Sequence, residues 1–201
     1  MPLNPCFGVR RNKEIPRGYY AGDIVWNAVY DAAVQELKDA MDLAYLTGQR
    51  PADVLKVATT ALNAEFLMVN QGKTAKKLRL RLEDEGVQSG LSAFINDLQE
   101  RRALSGLKTS RLITNTSGLR MSQQMLSNRW DEAREKAAIK ASTQGDSLLA
   151  VLIRQFQFKD IRPKAAREIE LTHASRLLGH STEEITKKVY RRVVEILKPT
   201  R

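Results

Sequence analysis

A single cysteine, Cys6, leaves the 201-residue chain without a partner for an internal disulfide. Two histidines and that one cysteine cannot build a Cys/His zinc site. No apolar run approaches the roughly 18 residues of a membrane-spanning helix. The opening Met-Pro-Leu-Asn-Pro-Cys lacks the apolar stretch of a secretory signal. No internal repeat and no low-complexity tract interrupts the chain. Disulfide scaffolds, zinc modules and helical membrane proteins are thereby excluded, and a reducing, cytosolic setting fits.

What the chain does have is positive charge. Lys and Arg total 33 against 23 Asp and Glu, a formal net charge of +10. An apolar content of 42% is enough for one sizeable core. A globular chain of that charge suits a nucleic-acid partner. Residues 1–22 carry Pro2, Pro5, Pro16, Gly8 and Gly18 and the basic run Arg10-Arg11-Asn12-Lys13. They read as an extended linker or arm, with Arg10, Arg11 and Lys13 able to track a phosphate backbone.

The hydrophobic pattern then turns helical. Asp23 is placed to cap a helix over residues 24–33, and a second helix covers 34–46, stopped by Gly48. Pro51 suits the first turn of a short helix over 52–57. Residues 65–70 and 78–82 read as strands joined by the turn Gln71-Gly72-Lys73-Thr74-Ala75-Lys76-Lys77, hence a β-hairpin. Arg79 and Arg81 alternate with leucines on its solvated face. Helices follow over 91–101 and, capped by Ser122, over 123–139, with a short third strand at 111–113 and a loop at 141–150. Residues 161–197 are mostly helical, broken near Leu171, Gly179 and Ser181. The expected class is mainly α with one small antiparallel β-sheet, an α+β arrangement.

Several polar residues sit where an anion could be held. Arg50 follows a glycine turn beside a helix start, with Asp53 one turn on to orient its guanidinium. Lys73 lies at the hairpin tip, with Lys76 and Lys77 beside it. Phe158-Lys159-Asp160-Ile161-Arg162-Pro163 places Lys159 and Arg162 three residues apart at a helix start that Asp160 can cap, able to converge on one anion. His180 follows the helix-ending Gly179, and Tyr190 comes ten residues later among Lys187, Lys188, Arg191 and Arg192. Taken singly, each residue has an ordinary structural explanation.

In combination, Thr-Gly-Gln-Arg-Pro, Gln-Gly-Lys-Thr, Lys-Asp-Ile-Arg, Leu-Leu-Gly-His-Ser and the following Tyr190 resemble the tyrosine recombinases, including phage integrases of the lambda type. The likeness runs over residues 23–192. It implies a tyrosine recombinase catalytic domain that cleaves and rejoins double-stranded DNA through a covalent 3′-phosphotyrosine at Tyr190, with no metal and no cofactor. Arg50 and Arg162 would clamp the scissile phosphate. Lys73 would protonate the leaving 5′-oxygen, His180 would hydrogen-bond the phosphate, and Asp53 would support Arg50. The box that in this family is usually His-x-x-Arg here begins with Lys159, as in the related type IB topoisomerases. Lys159 then serves either as a base, which requires a depressed pKa, or as a cation on the phosphate.

The resemblance further implies a homo-tetramer on DNA, a monomer in isolation, and action in the bacterial cytoplasm or nucleoid. Residues 4–13 look like an interdomain linker, so the chain reads as a C-terminal fragment or natural remnant, with residues 193–201 as a C-terminal tail. Two functional readings stay open: an active recombinase, or an inactive integrase remnant that binds DNA. A generic basic protein leaves the motif order as coincidence.

Overall fold

Apolar residues at helical spacing bury one face of each helix and so decide which helices meet. In the computed structural model, which describes Gly8, residues 18–180 and residues 182–189, the first is α1 (Asp23–Ala32), burying Val25 and Val29. Next comes α2 (Gln35–Thr47), which buries Leu37, Ala40, Met41, Leu43 and Ala44. Gly48, in the left-handed region at φ 62°, ends it. The chain reverses there, and Pro51 opens the single turn α3 (Pro51–Val54).

β1 (Phe66–Asn70) and β2 (Lys77–Arg81) pair antiparallel, with Phe66 opposite Arg81 and Asn70 opposite Lys77. Leu67 and Val69 turn inward, and Lys77, Arg79 and Arg81 face solvent. A second small hairpin, β3 (Glu83–Asp84) with β4 (Val87–Gln88), follows at once. Then come α4 (Gly90–Ser105), α5 (Gln123–Thr143) and α6 (Ser147–Gln155). A 3-10 turn at Phe158–Asp160 leads into α7 (Ile161–Arg167), α8 (Leu171–Leu178) and α9 (Glu183–Val189). The protein is therefore mainly α with small antiparallel β elements.

Phe156, fully buried, is the pivot of the core. Trp130 meets it edge-on at 4.8 Å and meets Phe158 at 5.3 Å, while Trp26 lies 6.4 Å from it. Such aromatic pairs add to the stabilisation that burial alone supplies. Along α5 the buried residues include Ala133, Ala137, Ala138 and Ala141, small enough for α1 and α6 to approach closely. Tyr19 stacks on Phe156 and donates its hydroxyl to the Leu152 carbonyl, fastening the segment before α1 to α6.

Some local expectations are corrected. Residues 141–150 are not a loop: α5 runs to Thr143 and α6 begins at Ser147, capped by the Asp146 carboxylate on the Leu149 N–H at 2.8 Å. Gly22, not Asp23, is the N-cap of α1, and the Asp23 carboxylate instead takes Lys164. The strand expected at 111–113 is a single bridge from Arg111 to Ala58. Among the described residues a second two-stranded sheet joins the expected one, because Glu85 and Gly86 both adopt positive φ and close a second tight turn. Asp160 holds the N-cap position of α7 without a side-chain cap bond, and its carboxylate accepts the Gln157 N–H instead. Ser122 caps α5, its hydroxyl accepting from the Met125 N–H.

Replacing Phe156 with Ala should cost about 3–5 kcal/mol of stability. Leu148→Ala, at a residue 72% exposed, should cost less than about 0.5 kcal/mol. Urea unfolding midpoints of the two variants check this; equal shifts would remove Phe156 from the centre of the core.

Candidate active site

Gly48 and Pro51 place Arg50 immediately before α3. Its side chain is half-buried, and its Nη1 is buried with no hydrogen-bond partner. The guanidinium lines a cavity of about 620 Å³ together with Lys159, Gln123, Trp130, Arg134 and Phe158. Asp53 is 3% exposed, yet no ion pair within 4 Å joins it to Arg50 among the described residues. Its Oδ1 instead accepts the Gly72 N–H at 2.8 Å, and its Oδ2 has no partner. The expected support of Arg50 by Asp53 is thus a tether between α3 and the hairpin turn, one residue before Lys73.

That turn is held from inside. Gln71 is 2% exposed and Gln49 1% exposed. The Gln71 Nε2 donates to Gln49 Oε1 at 2.9 Å and to the Leu178 carbonyl at 3.2 Å, and its Oε1 accepts from the Thr74 hydroxyl at 2.6 Å. Gln49 Nε2 donates to the carbonyls of Thr47 and Leu177. Both amides are satisfied, which buried amides require. Lys73 and Lys77 stay exposed, while Lys76 donates its ammonium to the His180 carbonyl at 3.1 Å.

Arg162 enters the same junction from α7. It is 4% exposed, and its guanidinium donates to the carbonyls of Gly48 and Leu178. Lys159 lies in the preceding 3-10 turn, exposed at the cavity of Arg50. The two cations do not converge as a pair from one helix start. Because residues 158–160 form a 3-10 turn ahead of α7, Lys159 faces the cavity and Arg162 lies inside the junction.

α8 ends at Gly179 with φ 66°, and a Cβ there would lie 2.4 Å from Gln71 Oε1. Glycine is needed on both counts. The next residue, His180, is half-buried, with Nδ1 2.7 Å from the Thr186 hydroxyl of α9. Burial first, and then the charges of Arg162, Arg50 and Lys76, push its pKa down to about 4. The imidazole is therefore neutral at pH 7. The bonds of Arg162 to the Leu178 carbonyl and of Lys76 to the His180 carbonyl bring two of these cations to the end of α8.

Tyr190, Arg10, Arg11 and Lys13 lie outside the described residues, as does Ser181. Missed in the sequence were Gln49, Gln71 and Thr186; the two glutamines flank the glycine turns, but nothing marks them as buried. Among the described residues no three His, Cys, Asp or Glu side chains come together as a metal site. Chemically, the recess offers an unsatisfied guanidinium N–H of Arg50 with Lys159 and Arg134 beside it, suited to an anionic group.

The family model described as the phage integrase family matches residues 23–195. No curated protein matches the chain. Among solved structures, a lambda integrase (75–356) dimer bound to a COC′ core site superposes with TM-score 0.67 at 20% identity, over 94% of this chain and 65% of that one. The lambda integrase catalytic core gives 0.60 at 21% identity, over 81% of this chain and 91% of that one. XerA recombinase gives 0.59 at 14% identity, over 90% and 62%. At these identities the likeness establishes the fold. The chain spans about two thirds of the length of the DNA-bound integrase structure.

Two outcomes follow from the junction. Because its proton is disfavoured in the folded state, His180 adds stability that is complete above its ordinary pKa of 6.5 and lost as the pH falls towards about 4. With only two histidines in the chain, imidazole NMR should assign His180 by comparison with His180→Gln; a value near 6.5 would contradict the cation cluster. Gly179→Ala, straining φ and striking Gln71, should lower stability by about 1–3 kcal/mol in denaturant titrations. Unchanged stability would mean that the junction gives way easily.

Proposed function

The chain belongs to the phage integrase family, and from that premise we propose that it is the catalytic domain of a site-specific DNA recombinase acting through a phosphotyrosine. The observation that carries this reading is that Arg162 and Lys76 bond the carbonyls of Leu178 and His180, while Arg50 Nη1 is buried and lacks an acceptor. A phosphodiester oxygen supplies that acceptor. In the reaction, the Tyr190 phenolic oxygen bonds to the scissile phosphorus. The bond from phosphorus to the 5′-oxygen breaks, and that oxygen takes a proton from Lys73. The product is a 3′-phosphotyrosine and a free 5′-hydroxyl. Attack by a 5′-hydroxyl reverses the sequence, so the energy of the phosphodiester is conserved in the intermediate.

Charge grows on the non-bridging oxygens in the pentavalent transition state. Guanidiniums meet it with fixed, planar, always-charged donors. The same anion offsets the cations that depress His180, so its imidazole becomes more basic as the phenol loses its proton, and it takes that proton up. Lys159, exposed at the Arg50 cavity, acts as a cation on the DNA backbone. The charge role that a metal plays elsewhere falls to these side chains. Residues 1–22 are a basic arm, residues 23–192 the catalytic domain and residues 193–201 a tail, with Arg10, Arg11, Lys13, Lys76 and Lys77 facing phosphates. The partner is double-stranded DNA in the bacterial cytoplasm, engaged as a tetramer; solved relatives include a lambda integrase tetramer bound to a Holliday junction. Among the described residues no helix is long and apolar enough to cross a membrane.

The test is relaxation of supercoiled plasmid in chelator at low salt, with denaturing gels for a protein–DNA adduct. Wild type should relax the plasmid and form the adduct. Tyr190→Phe should abolish both while retaining DNA binding, and Arg50→Ala should slow adduct formation by about 10²–10³-fold. Binding without adduct in the wild type would support the DNA-binding remnant instead.

A further inference from the structure

On the hairpin side of α3, a second cavity of about 590 Å³ is lined by Lys56, Arg111 and Arg120, with Asn70, Thr60 and Asp53. Five arginines on other parts of the surface, Arg81, Arg101, Arg129, Arg134 and Arg154, each pair with a carboxylate. Among the described residues no carboxylate lies within 4 Å of the charged groups of Lys56, Arg111 or Arg120. Three cations share the recess with one carboxylate, that of Asp53, so a net positive charge remains there for an anion from outside.

The recess is also built in advance. The Thr59 N–H donates to the Ser110 carbonyl at 3.1 Å, and the Leu112 N–H to the Val57 carbonyl at 2.9 Å. Arg111 Nη1 donates to the Lys56 carbonyl, and Arg102 holds the Arg111 carbonyl at 3.1 Å. A bridge from Thr114 to Arg120 closes the loop that carries the third cation. Held in this way, the loop and Arg111 lose little conformational freedom on binding. Asp53 connects the recess to the active site, since it sits on α3 behind Arg50 and takes the Gly72 N–H of the hairpin turn.

We propose that Lys56, Arg111 and Arg120 form a flanking-phosphate clamp, which holds the sugar-phosphate backbone of the same duplex beside the scissile position. The proposal rests on the DNA reading given above. Two cations carry the test, Lys56 and Arg120, because Arg111 also braces the loop. DNA affinity is measured against salt concentration with a short duplex, in the full chain with Tyr190→Phe so that no adduct forms. Each phosphate contact contributes about 0.9 to the slope of log K against log salt. Lys56→Gln with Arg120→Gln should therefore flatten the slope by about 1.8. The comparison pair is Lys136→Gln with Lys140→Gln, two exposed lysines that line a recess beside α1; it should leave the slope at the wild-type value.

A slope unchanged in the Lys56/Arg120 variant, while the parent binds DNA, overturns the clamp and leaves the recombinase reading standing. An equal flattening in both pairs also overturns it, because the effect is then one of net charge. A parent without salt-dependent DNA affinity overturns the recombinase reading, and the clamp falls with it.

Discussion

The side chain of Arg162 and the paired amides of Gln49 and Gln71 form one buried polar junction. Through it pass the Gly48 turn, the hairpin turn and the end of α8, which meet at the carbonyls of Gly48, Leu177 and Leu178. Each carbonyl and amide taken from water here must find a partner, since leaving one unmade costs about 1–3 kcal/mol. The junction is therefore specific in a way an apolar contact is not, because a slip in any segment leaves a buried group unpaired. Arg50, Lys73, Arg162 and His180 each lie in or beside one of these segments. Their mutual placement follows from the junction.

Charge is distributed according to depth and role. Between the helices, cations are matched: Lys164, 3% exposed, takes Asp23 and Glu168, Arg101 takes Asp39, and Arg129 takes Glu36. These pairs tie α7 to α1, α4 to α2 and α5 to α2. Partly buried pairs resist salt better than those on the open surface. Around the α3 turn the rule changes. Arg50 retains an unpartnered nitrogen, and among the described residues Lys56, Arg111 and Arg120 have no carboxylate within 4 Å. Positive charge left without a counterion on a rigid frame is poised for an external anion, with little reorganisation when it arrives.

His180 shows what such a frame does to a titrating group. Loss of water first, and then the cations in its surroundings, disfavour its proton, so it rests neutral at pH 7. The Thr186 hydroxyl at Nδ1 fixes the ring, which links the state of the imidazole to the position of α9. Since α9 leads directly to Tyr190, on the proposed reading the residue that senses the phosphate also holds the helix that delivers the nucleophile.

Local order was legible from the chain because it depends on short-range rules. Helical periodicity located α1, α2, α4 and α5; Ser122, Gly48 and Pro51 acted as caps and stops; the alternation of Leu78, Leu80 and Leu82 with basic residues marked β2. The order of Arg50, Lys73, Lys159, Arg162, His180 and Tyr190 also lies in the sequence, and with it the family. Burial and partnership did not. Asp53, three residues from Arg50, reads as its neighbour on a helical turn, yet it bonds Gly72, nineteen positions from it in the chain. Gln49 and Gln71 are ordinary polar residues until packing removes their water, and Lys159 and Arg162 part company because a 3-10 turn stands between them. The sequence by itself determined the elements, the charge and the residues of the site, since each is a property of neighbours along the chain. Only the tertiary structure decided which of those residues are satisfied inside and which are left open to an anion, because that depends on groups brought together across more than a hundred residues.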